Sequence, residues 1–249
     1  MADRFSRQAA AGLDTTLLSE AEVVIIGCGA LGNGVATILA IEGIGKLHLI
    51  DPDIVELHNV ARQLMFTEKD VKAHKVDALA RELGKRNSEI KISVYKEQIG
   101  DGQMPIDLFA RLYLSHDAIL VGCVDNNPTR AYANRFAVEH KYPLVSGGTQ
   151  GMQGWYSAYV PGKTNCLDCV KDIYSLAQRR PQRAPCAANP NPAVAETSLL
   201  IAAGMANLVR KIVAPIDEDD AVPKGIVSVD LHMNAINFAD VPKKEGCKC

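Results

Sequence analysis

Three glycines near the start of the chain follow a short β-branched run at the spacing G-x-G-x-x-G: Gly27, Gly29 and Gly32. Glycine lets the backbone turn tightly and approach a phosphate, and the next helix offers its N-terminal N–H groups to an anion. A second apolar run ends at Asp51, with Asp53 close behind, where a carboxylate can accept a ribose hydroxyl hydrogen bond. The pattern predicts a nucleotide-binding βαβ unit rather than a plain strand–helix turn.

A second set of polar residues indicates which nucleotide is bound: Asn59, Arg62, Gln63, Lys75 and Asp125. Arg62 and Lys75 could neutralise a triphosphate, and Asp125 could hold its Mg²⁺. A dinucleotide carries a pyrophosphate, for which a helix terminus is usually sufficient, so this set favours ATP over NAD. The alternatives are solvated surface charge for the two basic residues and helix capping for Asp125.

The ordered motifs of the chain resemble those of the ThiF/MoeB/HesA family, the ubiquitin-activating-enzyme-like adenylyltransferases. They are RFSRQ, GCGALG, DPDIVELHNVARQ, KAHKVDA, CVDNNPTR, PLVSGG, CLDC and the final cysteines, and they span nearly the whole chain. The resemblance implies ATP-dependent adenylation of the C-terminal carboxylate of a ubiquitin-like protein ending in Gly-Gly. It also implies a homodimer in which an N-terminal arginine, matched here by Arg7, reaches the triphosphate of the partner subunit.

Four cysteines in the C-terminal half are candidate metal ligands. Cys166 and Cys169 form C-x-x-C, and Cys247 and Cys249 form C-x-C at the end of the chain. Four thiolates suit tetrahedral Zn²⁺, and a structural zinc ion would hold the tail to the core. The one-residue spacer departs from the family's usual spacing and strains chelation by that pair, so oxidisable tail thiols are the alternative.

Cys186 lies in a proline-rich segment just before a long amphipathic stretch. A helix N-terminus can activate a thiol there, and Cys-Ala-Ala is similar to the catalytic-cysteine region of compact homodimeric activating enzymes. We therefore predict that Cys186 accepts the activated carboxylate as a thioester, for conjugation through a conjugating enzyme. The alternatives are an ordinary loop cysteine, or a sulfur donor and a ThiS/MoaD-type carrier in cofactor biosynthesis or tRNA thiolation.

Smaller features complete the site hypotheses. Cys28 and Cys123 lie in apolar strand-end contexts, and we predict that they are small buried residues. We expect Gly147, Gly148 and Gly151 to keep a channel open for the thin Gly-Gly tail.

Apolar runs and chain breakers predict alternating strands and helices. The run Ala118–Val124 is typical of a buried parallel strand, and Asp125 then follows its carboxyl end, where open sheets bind ligands. Helices are predicted over Gly32–Glu42, Val71–Arg86, Thr129–His140 and Ala193–Val213. The resulting fold class is α/β: a Rossmann-like, doubly wound, mostly parallel sheet with a C-terminal strand lobe and a zinc-stapled tail.

We interpret the chain as one ThiF-type adenylation domain with a nucleotide-binding core over 1–160. Residues 161–249 then supply a cysteine-bearing crossover segment, a long helix and C-terminal strands. The chain has 249 residues and 47% hydrophobic content, enough for a substantial core.

Charge and composition exclude some partners and compartments. Lysine and arginine total 27 against 29 acidic residues, a net charge of −2, which predicts neither nucleic-acid nor membrane binding. No signal-peptide pattern or bilayer-length apolar run is visible, so the expectation is a cytoplasmic protein whose seven cysteines are reduced or bind metal. Two other functions stay open: an NAD-dependent oxidoreductase, and a non-catalytic zinc-stabilised scaffold for a ubiquitin-fold partner.

Overall fold

The computed structural model describes residues 4–99, 111–112, 114–178 and 192–249. Within these residues, eight strands form one sheet in the order β3-β2-β1-β4-β5-β6-β7-β8. The strands are β1 (Glu22–Ile26), β2 (Lys46–Ile50), β3 (Lys91–Tyr95), β4 (Ile119–Gly122), β5 (Leu144–Gln150), β6 (Gln153–Tyr159), β7 (Gly225–Asp230) and β8 (Ala235–Asp240).

Helices alternate with the parallel strands, and within the described residues three more helices lie between β6 and β7 of the antiparallel half. They are α1 (Ser6–Ala10), α2 (Thr15–Glu20), α3 (Ala30–Glu42), α4 (Leu57–Val60), α5 (Lys75–Arg86), α6 (Asn127–His140), α7 (Leu167–Lys171), α8 (Ile173–Gln178) and α9 (Ala195–Val213). No helix in the described residues is long and apolar enough to cross a membrane.

The side chains of β1 show how the layers are built. Val23 and Ile25 point into one apolar core with α3, α5 and α9, whereas Val24 and Ile26 point into a second core with α6. Because successive strand side chains face opposite sides, a strand that is apolar throughout must be covered on both faces. The run Ala118–Val124, which predicted a buried parallel strand, contains β4 and is likewise buried throughout that strand, so the doubly wound fold class is confirmed.

Strand direction divides the sheet into two halves. Strands β1 to β5 run parallel, with β1 paired to both β2 and β4, and β6, β7 and β8 continue the sheet antiparallel. After β1 the chain builds outward through β2 and β3, and then returns to the other side of β1 with β4. The carboxyl ends of β1 and β4 therefore flank a topological switch point, where open α/β sheets bind ligands.

The predicted helix starts differ from the structure, most of all that of α5. Helix α5 begins at Lys75 rather than Val71, because Lys72 has a φ of 77°, which a right-handed helix cannot contain. The segment before β1 contains the short helices α1 and α2. The proposed division of the domain at residue 160 stays a prediction.

Candidate nucleotide site and cysteine cluster

The three motif glycines have three different surroundings. Gly27 has a φ of +91°, and a Cβ there would lie 2.9 Å from the Cys123 carbonyl oxygen. A Cβ on Gly32 would lie 1.9 Å from the Gly27 carbonyl oxygen, so only glycine lets α3 pack against the loop. A Cβ on Gly29 would meet no atom within 4 Å among the described residues. Gly29 thus borders open space that a phosphate could enter.

Asp51 lies at the carboxyl end of β2 and is buried. Its carboxylate accepts hydrogen bonds from the Cys28 N–H at 2.7 Å and from the Asp53 N–H at 2.8 Å. Burial raises its pKa, which the nearby Lys75 charge partly offsets. Asp51 therefore ties the glycine loop to the end of β2, a positioning contact in addition to the predicted ribose contact.

Lys75 is the first residue of α5 and is buried, although lysine seldom is. Its Nζ donates to Asp53 Oδ2 at 2.7 Å, and the Asp53 side chain is 64% exposed. The Lys75 ammonium is thus held near the carboxyl end of β2 by the Asp53 carboxylate, which is accessible to water. A phosphate could replace Asp53 as its partner at little cost.

The segment around α4 holds the other predicted polar residues. Asn59 is buried and accepts the Glu56 N–H, which closes the first turn of α4. Arg62 donates to the His58 carbonyl oxygen and, among the described residues, forms no ion pair. Gln63 Oε1 is buried without a hydrogen-bond partner in that part of the chain. Such an oxygen is costly unless a ligand or water donates to it.

Sequence reasoning missed Asn33, which fixes this segment in place. Asn33 is fully buried in α3, and its Oδ1 accepts the Met65 N–H at 2.9 Å. The signal was a lone amide directly after the third motif glycine, in a helix whose buried face is mostly apolar. Through this contact α3 carries both the glycine loop and the segment with Arg62 and Gln63.

Asp125 follows β4 by three residues and is exposed. The helix-capping alternative is wrong, because Asn126 is the N-cap of α6 and its side chain accepts the Thr129 N–H. The Asp125 carboxylate therefore does not cap α6. It lies beside the switch point between β1 and β4, which Gly27 also borders. Carboxylate oxygens of this kind are what Mg²⁺ prefers.

The glycines of β5 serve packing more directly than a channel. A Cβ on Gly147 would lie 2.4 Å from the Met205 sulfur of α9, so α9 packs tightly against this strand. At Gly148 a Cβ would lie 2.8 Å from the Trp155 Nε1 and 3.1 Å from an Arg130 nitrogen. Gly151 has a φ of +58° and pairs with Ala193. Arg130, in the CVDNNPTR motif, is a second residue that sequence reasoning missed.

The four C-terminal cysteines come together although 80 residues separate the two pairs. The Sγ distances are 3.9 Å for Cys166–Cys169, 3.6 Å for Cys166–Cys247 and 3.7 Å for Cys169–Cys249, and all four atoms lie within 4.8 Å of one another. Four thiolates around tetrahedral zinc at a Zn–S distance of about 2.3 Å would be about 3.8 Å apart. The cluster could therefore hold zinc, and the one-residue spacer does not prevent it.

The surroundings of the cluster suit metal binding. The Lys244 N–H donates to Cys169 Sγ at 3.4 Å, a contact that orients a thiolate ligand. Burial raises the pKa of the Cys166 thiol, and raises that of Cys169 to about 11. These thiols hold their protons unless a cation offsets the thiolate charge, so metal binding would release protons.

The remaining predicted residues divide into three groups. Cys28 and Cys123 are small buried residues, as predicted, and burial raises the pKa of both thiols. Arg7 lies exposed on α1. Cys186 lies outside the described residues.

Comparison with known proteins gives one family. The family model described as "ThiF family" matches residues 5–249 of this chain. The Bacillus subtilis sulfur carrier protein ThiS adenylyltransferase is 36% identical over 164 residues, which cover 64% of this chain and 46% of that protein. The catalytic subunit of the Drosophila melanogaster Nedd8-activating enzyme E1 is 29% identical over 171 residues, 64% of this chain and 36% of that protein. The chain thus spans less than half the length of these relatives.

Solved structures match over more of the chain. The crystal structure of Escherichia coli MccB with ATP superimposes with a TM-score of 0.78 at 28% identity, covering 99% of this chain and 74% of that one. The likeness therefore includes the antiparallel strands and the C-terminal tail as well as the nucleotide-binding half.

Proposed function

Because this chain belongs to the ThiF family, we propose that it uses ATP to adenylate the C-terminal carboxylate of a ubiquitin-like protein. The relatives named for ThiS and for Nedd8 support a small carrier or modifier protein as the substrate. MccB, crystallised with ATP, supports the choice of nucleotide.

One observation carries the proposal: the glycine loop, with open space at Gly29, lies at the carboxyl ends of the parallel strands together with the buried Lys75 and with Asp125, which does not cap α6. A dinucleotide site has no use for Lys75 and Arg62, whereas a triphosphate needs cations to offset its charge. The NAD-dependent oxidoreductase is therefore not favoured.

Each residue has a part in this reaction. Gly29 admits the phosphates, Lys75 exchanges Asp53 for a phosphate oxygen, and Arg62 supplies a second cation. Asp125 would hold Mg²⁺, which neutralises phosphate charge. A carboxylate oxygen of the substrate attacks the α-phosphorus, and pyrophosphate leaves with the electrons of the broken P–O bond. Catalysis is then mainly positioning and charge stabilisation.

The later steps of the proposal use residues away from this edge. In a homodimer, Arg7 would reach the triphosphate held by the other subunit. The Cys186 thiolate attacks the acyl carbonyl, forms the thioester and releases AMP. A zinc ion on Cys166, Cys169, Cys247 and Cys249 would hold the tail to the core. The compartment is proposed to be the cytoplasm, where thiols stay reduced.

The test of adenylation is exchange of labelled pyrophosphate into ATP in the presence of candidate ubiquitin-like proteins ending in Gly-Gly. Exchange should depend on the protein substrate and Mg²⁺, and Asp125→Ala should abolish it. The matched control is Asp117→Ala, because Asp117 is also exposed but lies before β4. Binding of NAD together with no exchange would overturn the proposal.

The transfer step is tested separately with Cys186→Ala. This variant should keep pyrophosphate exchange and lose a thiol-sensitive covalent complex on a non-reducing gel. A wild-type complex cleaved by hydroxylamine indicates a thioester, whereas one that forms only with a sulfur donor indicates sulfur transfer. If the variant forms the complex as well as wild type does, Cys186 is an ordinary residue.

Zinc binding is tested by metal analysis of protein purified without a chelator. We expect about one zinc ion per chain, lost in Cys247→Ser, together with a lower melting temperature on chelation because the metal binds only the folded state. Lys248→Ala is the control, since Lys248 is exposed between two of the ligands. Zinc-free wild-type protein in the reduced state would exclude the site.

A further inference from the structure

Arg130 is a buried cation that has no ion pair within the described residues, although the Asp125 carboxylate acts on it at longer range. Its Nη1 donates to the Gly147 carbonyl oxygen at 2.7 Å. Burial lowers its pKa to about 10, and the nearby Cys123 and Asp125 offset this only in part. A buried charge is normally paired, so one that is not indicates a missing anion.

A second cation lies against the same aromatic ring. The Arg130 guanidinium carbon is 5.2 Å from the Trp155 ring centroid, and the Lys171 Nζ is 4.9 Å from it. Lys171 likewise forms no ion pair in the described part of the chain. Two like charges around one indole repel each other, and the attraction of each to the ring offsets this only in part.

The polar N–H groups of this cluster converge on one place. The Trp155 Nε1 and an Arg130 Nη lie 2.8 Å and 3.1 Å from the position that a Cβ on Gly148 would occupy. In the described residues, the indole N–H has no acceptor. Both donors therefore pack against β5 at this glycine, and an anion that reaches them would meet an indole N–H and a guanidinium, with the Lys171 ammonium against the same indole ring.

We propose that Arg130, Trp155 and Lys171 bind the C-terminal carboxylate of the protein substrate before it attacks ATP. The proposal rests on the proposed adenylation. Trp155 lies on β6, Arg130 near the start of α6 and Lys171 at the end of α7. The cluster packs against β5, the strand next to β4 and Asp125. A carboxylate approaching ATP is repelled by the phosphates, and two cations beside it offset that repulsion. The carboxylate loses its charge on adenylation, which weakens its hold on the cluster as the acyl group forms.

Trp155 is the only tryptophan of the chain, so its indole N–H gives a single NMR signal that reports on this cluster. The probes are N-acetyl-Gly-Gly and its C-terminal amide, titrated without ATP. The carboxylate should shift the signal saturably and the amide should not. In Lys171→Met the carboxylate should bind about tenfold more weakly, the loss expected for one charge-assisted contact.

Lys163→Met is the control, because Lys163 is exposed nearby on the loop after β6, and zinc content should stay unchanged in both variants. Arg130→Lys, which keeps the charge but loses the fork of donors, should also weaken binding and should still fold. Equal binding of the amide, or unchanged binding by Lys171→Met, would overturn the proposal. So would saturation of the signal by ATP with no response to the peptide carboxylate.

The two proposals fail separately. Carboxylate-specific shifts without pyrophosphate exchange would leave this site standing and remove the adenylation. Pyrophosphate exchange without a carboxylate-specific shift of the Trp155 signal would support the adenylation and overturn the carboxylate site.

Discussion

The two ends of strands β1 and β2 handle charge in opposite ways. At the amino end, Glu22 accepts hydrogen bonds from Lys46 at 2.8 Å, His48 at 2.6 Å and the Ser115 N–H at 2.9 Å. At the carboxyl end, the ion pair that Lys75 forms within the described residues is with the exposed Asp53 carboxylate, and Asn126 rather than Asp125 caps α6.

The difference separates charges that stabilise the fold from charges that are available to a ligand. A buried carboxylate with three donors is fully satisfied, so losing it should cost stability and leave activity alone. A buried ammonium with a replaceable partner, such as Lys75, contributes little to stability, so replacing it should lower activity without lowering stability. The four predictions below test this separation.

Lys75→Met should produce the largest effect. Methionine fills a similar volume, so folding should be nearly unchanged, while kcat/KM for pyrophosphate exchange should fall by about 100- to 1000-fold, as for loss of one preorganised transition-state donor. Exchange kinetics and urea unfolding together check this. Lys69→Met is the control, since Lys69 is exposed in the preceding turn. A Lys75→Met protein that unfolds easily would contradict the proposed division of roles.

Glu22→Gln should do the converse. It leaves the buried His48 and the half-buried Lys46 without their carboxylate, at a cost of about 3 kcal/mol in the free energy of unfolding. At a temperature where the variant is folded, exchange activity should be normal. Glu20→Gln, exposed on α2, should change neither quantity. If Glu22→Gln lowers exchange by as much as Lys75→Met, the two ends are not functionally distinct.

Acid should act through the same carboxylate. Burial alone would raise the pKa of Glu22, but hydrogen bonds from Lys46, the Ser115 N–H and His48 outweigh it and lower the pKa from 4.5 to about 2. The stability from Glu22 is therefore complete above pH 4.5 and is lost as the pH falls towards 2.

We expect wild type to lose about 2 kcal/mol from this group between pH 4.5 and 3, and Glu22→Gln to show a flatter profile over that range. Urea unfolding at several pH values measures it. Parallel profiles for the two proteins would show that other carboxylates dominate.

Gly29→Ala should have the smallest effect. Its φ of −71° suits alanine and the added methyl meets no atom among the described residues, so stability should change by less than about 0.5 kcal/mol. The methyl would occupy the space left for phosphate, so the KM for ATP should rise about tenfold, the equivalent of one lost contact. Gly84→Ala, also without close neighbours but on α5, should leave the KM for ATP unchanged.

Some predicted features needed only local sequence. The apolar run 23–26 of β1 can be stable only when covered on both faces, which made the doubly wound sheet predictable. G-x-G-x-x-G followed by Asp51 predicted the loop because its glycines, turn and helix are neighbours along the chain. Asp125 was predictable at the end of a strand, whereas Lys75 was predicted inside a helix and is in fact its first residue.

Other features depended on contacts between residues far apart in sequence. No local rule tells that Asn126 rather than Asp125 caps α6, since both residue types favour that position. The C-x-C spacer suggested strain, yet the fold brings Cys247 and Cys249 to Cys166 and Cys169 at suitable distances.

The cluster of Arg130, Trp155 and Lys171 joins a helix, a hairpin and the end of α7 that are distant in sequence. Periodicity specifies which face of an element is buried, but not which side chains of other elements meet it there. These contacts between elements decide whether a charged side chain has an ion-pair partner. The sequence therefore determined the elements and the phosphate loop, and only the tertiary structure determined which charges are left for a ligand.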